Sequence, residues 1–115
     1  MARLAALRLE ARTAHEAFAS ARPSAERAVA AARGAAPGSE GWSVAQIAVA
    51  ELDSARSRAM IALADLDSLL VAAEVANVDA PSPDLGAIKA VHGEVSMWIA
   101  LDDAVLDSLR GQLRG

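Results

Sequence analysis

The stretch WSVAQIAVAELDSARSRAMIALADLDSLLVAA (42–73) decides the fold. Trp42, Ala45, Val49, Leu52, Ala59, Leu63, Leu66, Leu70 and Ala73 recur along it with alternating steps of three and four. That spacing lines them up on one stripe of an α-helix. No glycine or proline interrupts the stretch, so one long helix is expected rather than two short ones. One slot of the stripe, between Leu52 and Ala59, holds Arg56. A cation in a core position needs a partner, because an unpaired buried charge is too costly to keep.

Outward from this helix the chain turns twice. RGAAPGSEG (33–41) and NVDAPSPD (77–84) concentrate the Gly, Pro, Asn and Ser that favour turns. Before the first turn, Leu4, Leu7, Ala11, Ala14, Phe18, Ala21, Ala25, Ala28 and Ala32 form a second stripe. Pro23 lies inside it, yet the three–four alternation passes Pro23 without losing a step. A helix kinked at Pro23, rather than a break, is the expectation. After the second turn, Ile88, Val91, Val95, Trp98, Asp102, Val105 and Leu109 form a third stripe. Ser39 is a plausible N-cap for the middle helix and Asn77 a plausible left-handed end to it. Ser82 as N-cap, Pro83 and Asp84 form a start signal for the third. The expected fold is all-α: one domain over 1–115, an elongated antiparallel up-down-up three-helix bundle with coiled-coil-like packing. Its helices should span about 2–33, 40–76 and 83–113. Trp42 and Trp98, both on inward stripes, are expected in the core.

The same topology suggests a partner for Arg56. In antiparallel neighbours, positions equidistant from a turn face each other. The second turn is centred near residue 80, so facing positions sum to about 160 and Arg56 comes level with residue 104. The third stripe is itself broken nearby, at Asp102. The first turn is centred near residue 37, which sets Arg56 one helical turn from Glu16. A structural ion pair of Arg56 with Asp102, with Glu16 as the alternative acid, is therefore expected. In a dry site, loss of one partner would cost about 3–5 kcal/mol.

Composition excludes more than it identifies. The chain has 115 residues and no cysteine, so thiol catalysis, cysteine-based zinc sites and disulfides are ruled out. The formal charge of -4 argues against nucleic acid and anionic membranes as partners. No apolar run approaches the roughly 18 residues of a membrane span, and no uninterrupted apolar region suggests a signal peptide. A cytoplasmic location is expected, with the periplasm or secretion left open. Abundant alanine, with arginine preferred over lysine, fits a GC-rich, bacterial genome.

Chemical motifs are few. TAHEAFASA (13–21) resembles the histidine-bearing helix of phosphotransfer domains at Ala14, His15, Ser20 and Ala21, but lacks the lysine and glycine expected after the histidine. His15 reads as an ordinary surface residue. His15 and His92 fall roughly 13 Å apart along the bundle, too far to share a metal. Neither follows a glutamate by three residues, as a di-iron bundle would require. No metal, cofactor or specific small molecule is expected. LDDAVLD (101–107) offers paired carboxylates but no obvious cleft to tune them. No set of nucleophile, base and orienting group can be assembled, so an enzyme is not expected.

What remains is surface. Ile47, Ser54, Ile61, Ser68 and Val75 run along the face of the middle helix opposite its stripe. Apolar residues in line on an outer face mark interfaces. Gly86, Gly93 and Ala100 form a second outward row on the third helix, small enough for close approach. A homodimer using Ile47, Ile61 and Val75, with Gly86 and Gly93, is expected. The function expected is that of a non-catalytic interaction or structural protein that associates with itself. The alternative is a small regulatory or binding module, such as a secretion chaperone, an antitoxin-like partner or a phosphotransfer-like relay.

Overall fold

The structure is a computed structural model, and it describes residues 2–81 and 83–114. Three α-helices, and no strand among the described residues, pack pairwise into one bundle 61 × 21 × 16 Å in extent. They are α1 (Ala2–Ala31), α2 (Glu40–Asp79) and α3 (Asp84–Arg114). The length of the bundle is that of α2, whose 40 residues span about 60 Å.

α1 runs unbroken through Pro23. It ends at Ala31, two residues before the expected boundary, and the following turn carries Gly34 and Gly38 at φ 79° and 86°. Those left-handed angles suit glycine and penalise residues with a Cβ. Ser39 caps α2 as expected: its hydroxyl accepts the Trp42 N–H at 3.4 Å. The far end differs from expectation. The helix passes through Asn77 to Asp79, and Ala80, in extended conformation, closes it with an N–H bond to the Ala76 carbonyl. Pro81 follows and favours extended geometry at the residue before it. The expected N-cap of α3, Ser82, lies outside the described residues. Asp84 in the first turn and Arg114 in the last complement the helix dipole of α3.

The apolar core has two parts. One gathers Leu4, Leu7 and Ala11 with Ala62, Leu66, Ile88 and Val95 at the end near the second turn. The other gathers Phe18 and Val29 with Val49, Leu52, Leu106 and Leu109 at the end near the first. Alanines fill many of the remaining buried positions, Ala14, Ala55 and Ala59 among them, so the helices approach closely. Trp98 packs against the first part but is only partly buried. Trp42 is not a core residue. It is half-buried and lines an open cleft of about 710 Å³ with Pro37, Val49 and Leu113. It lies in the first turn of α2, where fewer side chains surround it than at mid-bundle.

Candidate functional site

The two core parts are separated by a polar layer. On α1 it falls between Ala14 and Phe18, on α2 between Ala55 and Ala59, on α3 between Ile99 and Leu106. Asp102, 3% exposed, is the buried charged residue of this layer.

The layer is not wired as expected. Asp102 does not pair with Arg56; its Oδ2 shares a hydrogen bond of 3.1 Å with Nδ1 of His15. Glu16 turns outward and accepts from Arg12, one turn back, at 3.0 Å. Arg56 instead binds Asp103 across the α2–α3 seam, and lies 3.5 Å from Asp53 on its own helix. Asp53 in turn lies 3.4 Å from Arg110. The physical reason is rotational. The buried residue at this level of α2 is Ala55, 2% exposed, so the stripe runs Leu52, Ala55, Ala59. Arg56 is one residue, about 100°, further round the helix. Its side chain keeps 27% of its exposure and spans the seam as a partly solvated ion pair. The pair keeps the expected axial level and differs from expectation in azimuth.

His15 is no ordinary surface residue. Its ring lies on that of Trp98, with centroids 5.4 Å apart and planes 6° from parallel. Arg8 sits 5.9 Å over the same indole and grips Glu94 with two hydrogen bonds, of 2.7 and 3.3 Å. That contact raises the Arg8 pKa. Burial raises the Asp102 carboxyl above its ordinary value, opposed by the hydrogen bond and charge of His15, with Asp103 adding to the rise and Arg22 opposing it. No buried side-chain nitrogen or oxygen lacks a hydrogen-bond partner among the described residues. On α3, one helical stretch thus presents Glu94, Trp98 and Asp102, four residues apart, to Arg8 and His15 of α1. A second histidine, His92, pairs with Asp67 of α2.

Chemically, an ionised Asp102 would orient the His15 imidazole with Nδ1–H toward itself, leaving the lone pair on Nε2. The described clefts lie elsewhere: at Trp42, between Arg22 and Ser108, and beside Leu9 and Ile61. None is lined by His15. Among the described residues no three His, Asp or Glu side chains gather as metal ligands. No described helix is long and apolar enough to cross a membrane.

The outward row of α2 is as expected in its exposure. Ile47, Ile61 and Val75 are 62%, 65% and 66% exposed, with Ser54 and Ser68 exposed between them. Leu9 of α1 is also exposed and shares a groove with Ile61, Glu10 and Arg58. Gly86 and Gly93 face solvent on α3, where a methyl group at either would meet no atom within 4 Å beyond the adjoining residues and backbone of its own helix. No family model, curated protein or solved structure matches this chain.

Proposed function

We propose that this chain is a non-catalytic helical interaction protein that associates with itself through the outward face of α2. The observation that carries the reading is the row of Ile47, Ile61 and Val75, exposed along a helix whose opposite face is fully used by the bundle. Leaving three large apolar side chains in water on one line has no role in holding the monomer together. A contact with a second molecule along this row reduces that exposure, and coiled-coil-like packing between bundles would suit the spacing. The outward faces of α2 and α3 point in different directions in a three-helix bundle. One flat contact does not cover both, so Gly86 and Gly93 belong to a separate surface and α2 is the one we assign.

Light scattering at tens of micromolar tests this. The expected mass is twice the 11.8 kDa of the chain, and Ile61→Asp should return a monomer with unchanged helicity. A monomer mass for the parent protein would end the reading.

A second reading, a small binding module, draws on the cleft at Trp42. A half-buried indole at a cleft wall is a contact surface for another protein's side chain. Capture of a native partner that Trp42→Ala abolishes, with the parent protein monomeric, would favour it.

A further inference from the structure

Resting on that self-association, we infer its register: two α2 helices pack antiparallel about a twofold axis at Ser54. Ile47 and Ile61 stand seven residues to either side of Ser54, on the same exposed row. In an antiparallel pair centred there, each Ile47 meets Ile61 of the second copy, and the interface is self-complementary as a twofold requires. Ser54, at the crossing point, is small enough for the helices to approach closely.

Charge selects this arrangement. Glu51 and Arg58 lie seven residues apart along one flank of the row. Both are exposed, and neither makes an ion pair among the described residues. A twofold that reverses the helix direction keeps each flank on its own side. Glu51 of each copy then comes against Arg58 of the other, twice per dimer. A parallel pair would set the two flanks on opposite edges and leave both charges partnerless. An antiparallel pair centred on Ile61 would set Ile47 against Val75, which the Ser54 centre leaves beyond the paired stretch of α2, but it would join Arg58 to Asp65, which already faces Arg3 at 3.9 Å, and leave Glu51 against apolar side chains. The Ser54 centre is the one that satisfies both free charges.

The absence of native cysteine gives a direct test. Helix axes about 8–10 Å apart, with Cα atoms ~2.3 Å from each axis, put the two Ser54 Cα atoms roughly 5 Å apart. That is within the range a disulfide accepts. Under mild oxidation Ser54→Cys should form a covalent dimer, and Ile61→Cys should not. In parallel, Glu51→Arg should weaken the dimer about tenfold or more, because the symmetry doubles the substitution. Adding Arg58→Glu should restore it to within about threefold of the parent. A dimer in which Ile61→Cys cross-links and Ser54→Cys does not, or in which the second swap gives no rescue, overturns the register and leaves self-association standing. A parent protein that stays monomeric overturns both.

Discussion

His15 of α1 lies flat against Trp98 of α3 while its Nδ1 engages the buried carboxyl of Asp102. One imidazole therefore covers an indole face and satisfies an acid that has little access to water. Replacing it strips both. In a Trp42→Phe background, where Trp98 is the remaining tryptophan, His15→Ala should shift the emission maximum to the red. It should also lower stability by about 1–3 kcal/mol, the usual cost of leaving a buried polar group unpaired. An unmoved maximum in a folded variant would show that the stack is absent in solution.

Asp102 sets a pH dependence of definite sign. Burial raises its carboxyl above the ordinary 3.8, so the folded chain holds that proton more tightly than the unfolded one. The contribution of this group is full below pH 3.8 and is lost as pH rises through the raised folded value. Asp102→Asn stays neutral and keeps an oxygen that can accept from His15. Against the parent, its relative stability should grow as pH rises through this window and then level off. The gain at neutral pH should be on the order of 1 kcal/mol, because removing a buried charge offsets its lost attraction. Urea unfolding of both proteins from pH 4 to 7 measures it, and a constant difference would contradict the sign.

Arg56 should matter less than a core cation would. Its side chain is partly solvated, and its network through Asp103 and Asp53 lies along the seam. Arg56→Met should cost about 1 kcal/mol or less, with the difference shrinking in high salt. A loss of about 3–5 kcal/mol would restore the picture of a dry ion pair.

Pro23 occupies the interior of a continuous helix and is exposed. It contributes no N–H to the helix ladder and crowds the preceding turn. Pro23→Ala should stabilise by about 1–2 kcal/mol, part of the interior-proline penalty being offset by the greater freedom of the unfolded variant. Thermal melts would show it.

The helices are legible in the sequence because their stripes are long and their turns are rich in Gly and Pro. Axial level is legible too. Arg56–Asp103 and Asp67–His92 lie equally far along the two antiparallel helices, close to the positions a turn centred near residue 80 implies. Rotation about each helix is not. Leu52 can step to Ala55 or to Arg56, and only packing against two neighbours chooses. The His15 cluster leaves a signal all the same. The registers of the two turns together place α1 against α3 with an offset of about 86. That aligns Arg8 with Glu94 and brings His15 beside Asp102, as observed. Alanine obscures it: with so many small residues on α1, a histidine one residue, about 100°, round from the stripe looks like surface.

The division of the apolar interior into two blocks has a dynamic consequence. Neither block shares its largest side chains with the other, and what joins them is hydrogen-bonded rather than greasy. Each end of the rod should then open as a separate unit. Amide hydrogens around Leu66 and Ile88 should exchange as one group, and those around Phe18 and Leu106 as another, each with its own opening free energy. In Asp102→Leu, where hydrocarbon bridges the gap, the two groups should merge into a single cooperative transition.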